Sequence, residues 1–333
     1  RRNAARRHQT LGATLDWSFN LLSHDEQRIL VRLSAFVGPF TMEAACSVAG
    51  DADEDSGSVA ACVASLVDKS LVWVHPVEGT VFYRLADMTR TYARAKLEEN
   101  GDLEPTAVRH ATYFAALFKS IALRHGAYSE IARHAPHIGN VRTALEWSFS
   151  ERGHQATGVE LAADCMPLFL GLWLLSECRH WSRVALAAIQ AASDIPHREV
   201  GLLEALAVSA MHTRGDLKEV RDAIERGINL SETQGGGLTQ LRLLAGLNLF
   251  LTRLGDFEGG LAAAKRCGVI AEQSGTVRDR VIAEWMLAAA YHLAGNQPAA
   301  VDHCERGFSL EAGWGRLELN LFGYDHHLRA ELA

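Results

Sequence analysis

"LVWVHPVEGTVFYRLADMTRTYARAKLEE" (Leu71–Glu99) carries the clearest strand signal in the chain and decides how its first hundred residues are read. Two runs rich in β-branched and aromatic residues, LVWVHP and TVFYRL, are split by Val77-Glu78-Gly79, so the spacing predicts a β-hairpin with a Gly-containing turn. Asp87 follows as a candidate N-cap for a helix over MTRTYARAKLEE. Working backwards, VAACVASLVDKS (59–70) reads as a helix, and TMEAACSVAG (41–50) as a shorter one closed by Gly50. The acidic DADEDSGS between them reads as a solvated loop. Further upstream, Leu11, Leu15, Phe19 and Leu22 share one helical face. Ser23-His24-Asp25-Glu26 then has the S-x-x-E form of a capping box, in which Ser23 and Glu26 satisfy each other's orphan amides. One helix therefore ends near Leu22 and a second starts at Ser23. Ile29, Leu30, Leu33 and Phe36 continue the apolar face of that second helix, which Gly38-Pro39 terminates.

Three or four helices, a two-stranded ribbon and a closing helix are the element order of a winged-helix domain, here residues 1–100. Beyond Gly101 no strand pattern appears. Gly215-Asp216, Gly255-Asp256 and Gly295-Asn296 recur every 40 residues, as do Arg226, Arg266 and Arg306, and the apolar Leu230, Ile270 and Leu310. Each Gly suits a left-handed helix C-cap and each Asp or Asn the next N-cap. Each unit is then helix, tight turn, helix, and such a hairpin must stack on neighbours to bury its apolar face. The expectation is a mainly α chain: a winged-helix domain (1–100), a helical connector (101–198) without the clean 40-residue beat, and a tetratricopeptide-like solenoid (199–333). WSF in the stretch TLDWSF (14–19) returns in ALEWSFS (144–150) without the capping-box continuation, so the echo is no tandem duplicate.

Composition narrows the chemistry. The chain has 333 residues, is 48% hydrophobic, and carries a formal charge of −7, which argues against nucleic acid as a partner of the whole chain. Its six cysteines contain no C-x-x-C pair and read as small buried residues of a reducing cytoplasm. The longest apolar run, MPLFLGLWLL (166–175), is half of what a bilayer needs. There is no G-x-x-x-x-G-K-[ST], and no G-x-G-x-x-G follows a strand. GGG at 235–237 lies between repeat helices and reads as a joint. His134 and His137, or His326, His327 and Asp325, could chelate a metal, but helix histidines need no ligand and neither set matches a known spacing. No nucleophile or paired-acid motif is present, so the expectation is no enzyme, no catalytic residue and no metal.

Residues 1–100 hold eleven Lys/Arg against thirteen Asp/Glu. The helix before the ribbon offers one Lys, one Asp and no Arg, whereas a recognition helix normally presents basic and amide groups to DNA. Core packing is the expectation for Trp17, Trp147, Trp173, Trp181 and Trp285, with ligand anchoring the alternative. The chain begins RRNAARRHQT, without an initiator Met or a signal-peptide core, and stops at RAELA; it reads as part of a longer protein.

RRHQTLGATLDWSFNLLSHDEQRILVRLSAFVGPFTMEAA, LVDKSLV, FYRLADMTRTYARAKLEE and RHATYF follow in order. Together they resemble the winged-helix region that succeeds the nucleotide-binding (NB-ARC) domain in bacterial AfsR-like signal-transduction ATPases of the STAND class. NVRTALEWSFSERG (140–153) resembles that family's next landmark, and the similarity spans about residues 6–150. The resemblance implies a cytoplasmic, ATP-dependent switch controlling transcription. An ATPase domain preceding this chain would hold ADP when off and ATP when on, the winged helix would act as its latch, and the repeats would sense a protein or small-molecule effector. In eukaryotic relatives a Met-His-Asp motif places its His near the ADP phosphate. Leu85-Ala86-Asp87 stands there in this chain, and Ala86 offers no hydrogen bond, so Asp87 is the one candidate cofactor-side residue and otherwise a helix N-cap. The alternatives are a DNA-binding winged helix or a protein-protein interaction scaffold with no switch.

Overall fold

Residues 13–20 form helix α1, and the chain then breaks where the capping box sits. Ser23 Oγ accepts from the Glu26 amide at 3.2 Å, and the Ser23 amide donates to Glu26 Oε2 at 2.8 Å. This starts α2 (His24–Leu33). A computed structural model describes residues 13–51, 53–77, 79–124, 132–192, 196–213, 216–234, 237–274, 276–311, 320–321 and 324–325. The chain divides into two compact units, residues 1–165 and 166–333.

In the first unit, α2 stops at Leu33, well before Gly38. Ser34 Oγ turns back onto the Val31 carbonyl, and the amides of Ala35 and Phe36 bond three residues back, which tightens the last turn out of α geometry. Thr41 caps α3 (Met42–Ala49), and α4 (Ser56–Asp68) begins three residues earlier than its apolar pattern suggests. Strands β1 (Val72–Val77) and β2 (Thr80–Leu85) pair antiparallel, Val72 with Leu85 through Val77 with Thr80. Val77 therefore belongs to the strand and not to the turn. Phe40 adds to the outer edge of β2, exchanging backbone hydrogen bonds with Tyr83. Helix α5 (Asp87–Glu99) corrects one expectation. Its N-cap is Ala86, in extended geometry, and Asp87 is the first helical residue. Asp87 caps nothing; its charge favours the helix dipole, and its carbonyl accepts from Thr91 Oγ1.

Helix α6 (Leu103–Arg124), a 3₁₀ turn (Ala132–His137) and α7 (Ile138–Ser148) complete the core of the first unit. Phe36 meets Phe114 and His110, and Phe82 meets His137, all at edge-to-face angles near 60–76°. Arg109 Nε donates to the Val48 carbonyl at 2.8 Å. The unit boundary falls within α8 (Gln155–Gly171).

The second unit continues with α9 (Leu175–Ala192) and three helical hairpins: α10 (Pro196–His212) with α11 (Leu217–Gln234), α12 (Gly237–Arg253) with α13 (Phe257–Ser274), and α14 (Val277–Leu293) with α15 (Gln297–Glu311). The second helices start at 217, 257 and 297, so the 40-residue beat of the sequence is structural. Gly255 and Gly295 take φ of +81° and +82°. Asp256 Oδ1 and Asn296 Oδ1 then accept from amides three residues on, at 2.9 and 3.3 Å, as the cap reading requires. A short strand pair, Asn320–Leu321 with Tyr324–Asp325, follows. The chain is thus mainly α, a winged helix followed by tetratricopeptide-like hairpins.

The turn from α8 to α9 closes by the same hydrogen bonds, with Trp173 in the glycine position. Trp173 N bonds Leu170 O and Leu174 N bonds Phe169 O, as Gly255 N bonds Thr252 O and Asp256 N bonds Leu251 O. Trp173 has φ of +54°, a region that costs a residue with a β-carbon about 1–2 kcal/mol. Trp173→Gly is therefore expected to stabilise the second unit by about 1 kcal/mol in thermal unfolding. A loss of stability would mean that the ring's contact with His212, at 5.9 Å, outweighs the strain.

Candidate functional site

In a winged helix the helix before the ribbon and the ribbon itself form the usual contact surface. Here α4 turns Val59, Val63 and Leu66 inward and leaves Ser56, Ser58, Ala61, Ala64 and Asp68 outward. Its one cation, Lys69, lies just past its end and is engaged: Nζ reaches Glu26 Oε1 at 2.5 Å, beside Ser65 Oγ at 2.5 Å. The Lys69 and Ser65 hydrogen bonds hold the Glu26 carboxyl down at about 2. The loop before α4 is acidic. Asp51 and Glu54 bind Arg28 at 3.0 and 2.7 Å, while Asp53 and Asp55 pair with no cation among the described residues. Arg28 keeps Glu54 at about 2.

The ribbon is apolar outside. Trp73 is 65% exposed, Val74 48% and Val81 47%, and Pro76 is exposed beside them. Val74 opposes Tyr83 and Pro76 opposes Val81, so Val74, Pro76 and Val81 share one ribbon face while Trp73 lies on the other with Arg84. Sequence reasoning saw the missing basic groups on α4 but not this apolar wing, because strand alternation does not say which face lacks a cover.

An ion network centred on the largely buried Arg32 ties α2 to the loop after α3 and to Asp102, just before α6. Arg32 donates through Nε to Asp102 at 2.5 Å, and through Nη1 to Asp51 at 2.7 Å and to the Ala49 carbonyl at 3.0 Å. Among the aromatic core residues, burial pushes the His110 and His137 imidazoles down to about 4, so both are neutral near pH 7.

In the second unit, α9, α10 and α11 line a cavity of about 430 Å³. Leu186, Leu203 and Leu206 form its floor, and Lys218 and Asp222 lie on its rim. Glu219, at the same rim, is held by both Arg179 and Arg183. Arg226, on the 40-residue beat, pairs with Glu199, Arg266 with Glu232, and Arg306 with Glu284.

The other sequence candidates fall as follows. Asp87 is on the surface, 3.4 Å from Arg84. His134 and His137 stack at 6.0 Å, and no group of three or more metal-binding side chains occurs among the described residues; His326 and His327 lie outside them. Gly235 and Gly236 also lie outside, while Gly237 opens α12. Trp181 and Trp285 are core and Trp147 is half-buried, but Trp17 (67% exposed) and Trp173 (61%) are not. Trp17 is two residues from both Leu15 and Phe19, about 200° round the helix from the face those residues bury; Trp173 is thrown outward by its turn. All six cysteines are free thiols, and burial raises Cys178 and Cys267 to about 12. Among the described residues no helix is long and apolar enough to cross a membrane.

Residues 22–98 match the family model described as a winged helix-turn-helix domain. A Mycobacterium tuberculosis protein with the provisional description of an HTH-type transcriptional regulator is 38% identical over 182 residues, 54% of this chain and 20% of its own length. An uncharacterized M. tuberculosis protein is 40% identical over 109 residues, 32% of this chain and 28% of its own. Among solved structures, a Signal Transduction ATPase with Numerous Domains (STAND) protein with a tetratricopeptide repeat sensor, from Pyrococcus horikoshii, aligns over 88% of this chain and 51% of its own. Its TM-score is 0.45 and its identity 15%. The chain spans only 20% and 28% of the length of these two curated relatives, and its residues 22–98 are a winged helix-turn-helix domain.

Proposed function

We propose that this chain is the regulatory part of an ATP-dependent STAND-type transcriptional regulator, its winged helix a latch that grips protein and not DNA. In this reading residues 1–100 are the latch, 101–198 the connector and 199–333 the sensor, whose cavity receives a protein or small-molecule effector. ATP and ADP belong to a nucleotide-binding domain outside the chain, and Asp87 is the residue assigned to face it. The whole acts in the cytoplasm without catalysis of its own.

One observation carries the reading: the surface with which winged helices usually meet phosphate offers no uncommitted cation on α4, and exposes Trp73, Val74 and Val81 instead. Such a surface gives duplex DNA few phosphate contacts, whereas a desolvating protein interface gains from it. The purified chain is expected to bind the nucleotide-binding region of its own full-length protein, more tightly with ADP than with ATP. Trp73→Asp should weaken that binding at least tenfold, about 1.4 kcal/mol, with stability unchanged within about 0.5 kcal/mol because the side chain is exposed. The description of the relatives favours a second reading, direct DNA binding by the same winged helix. A mobility shift with a steep salt dependence would establish that reading and sink the first.

A further inference from the structure

We propose that Asn140 is a positioning residue that couples the docking of α7 to the placement of the wing, through the short segment Val37–Phe40. Asn140 sits near the start of α7 and is fully buried. Its Oδ1 accepts from the Val37 amide at 2.8 Å, and its Nδ2 donates to the Pro39 carbonyl at 2.8 Å. Those partners lie about a hundred residues earlier in the chain. Without Asn140 one backbone donor and one acceptor under α7 would be left unmatched. The approach is close as well: a β-carbon on Gly139 would collide with the Val37 carbonyl oxygen.

The next residue carries the connection onward. Phe40 exchanges both backbone hydrogen bonds with Tyr83, at 2.9 and 2.7 Å, and is in effect a third strand on the ribbon. Its ring stacks on Tyr83 at 6.1 Å and on Phe36 at 4.5 Å. Tyr83 is paired across the ribbon with Val74, on the exposed apolar face. A continuous path therefore runs from α7 through Asn140, Val37–Phe40 and Tyr83 to the wing. Docked α7 holds that edge strand against β2. Undocked α7 removes both Asn140 bonds at once and frees the strand to shift. Whatever binds to the wing meets a surface whose position depends on α7, and by reciprocity its binding biases whether α7 is docked.

The test is native-state hydrogen exchange on the full chain, comparing Asn140→Ala with Val63→Ala, a buried core variant in α4, a helix that is not part of this path. At urea concentrations that match the global stability of the two variants, the Phe40 and Tyr83 amides of Asn140→Ala should exchange at least tenfold faster than those of Val63→Ala. In the unaltered protein, α7 amides should share one opening isotherm with Phe40 and Tyr83, separate from that of α4; this measurement does not depend on either variant folding. Protection at Phe40 and Tyr83 that falls only in proportion to global stability would overturn the proposal. So would an isotherm for those two amides distinct from that of α7.

Discussion

Arg32→Met should lower the stability of the first unit by about 3 kcal/mol, the low end of what is lost when one partner of a buried ion network is removed. The Arg32 side chain is only 10% exposed and satisfies three acceptors from two segments of the chain: Ala49 and Asp51 at and just after the end of α3, and Asp102 before α6. Methionine fills much of the same volume but leaves Asp102 with only the longer contact to Arg109, at 4.0 Å, and the half-open Asp51 with Arg28 alone. Asp51 is partly hydrated, which keeps the loss from the upper end of the range. Because the chain has two units, the measurement should follow α2 amides in urea rather than a single bulk signal. Arg32→Met with Asp102→Leu should recover more than half of the loss, since the stranded carboxylate goes with its partner. A single-variant loss below about 1 kcal/mol would mean that water screens the network and that the start of α6 is held by packing alone.

Much of this architecture is legible in the sequence, for reasons that can be named. The capping box is four consecutive residues whose geometry is local, so Ser23 and Glu26 fix the α1–α2 break without help from tertiary structure. The 40-residue beat survives because each turn needs a residue in left-handed geometry and glycine supplies it most readily. Where another residue takes that place, the signal vanishes: Trp173 closes its turn with the hydrogen bonds of Gly255, and no composition rule points to it. Propensity puts the start of α5 one residue late, because Asp is the stronger N-cap, while Ala86 already has the extended geometry of the cap. The surface was less legible than the fold. A missing Arg on α4 can be read directly, but the exposure of Trp17 and Trp73 depends on what lies opposite them. The Asn140 joint spans a hundred residues, and neither of its backbone partners has a side-chain signature.

Acid should unfold the first unit before its carboxylates titrate. The imidazoles of His110 and His137 are held near 4, against an ordinary 6.5, chiefly because burial penalises the charged ring. The charge of Arg94 adds to this for His110, and that of His134 for His137. The unfolded chain therefore binds more protons than the folded one, so stability is fully present above about pH 6.5 and falls as pH drops toward 4. A depression of this size corresponds to about 3 kcal/mol per histidine, and most of it is spent by pH 4.5. The two together rival the whole stability of a typical domain. Glu26 and Glu54 act in a different window. Their carboxyls are lowered from 4.5 to about 2, so their contribution is intact above pH 4.5 and is lost only below it. Between pH 6.5 and 4.5 the histidines are thus isolated. Urea unfolding of the first unit across that interval should lose several kcal/mol, and His110→Leu with His137→Leu should flatten the curve whatever its height at pH 7. A slope that survives in the double variant would place the acid sensitivity elsewhere in the unit. An unchanged stability down to pH 4.5 in the parent would mean that His110 and His137 charge where they sit, with Asn140 and water compensating them.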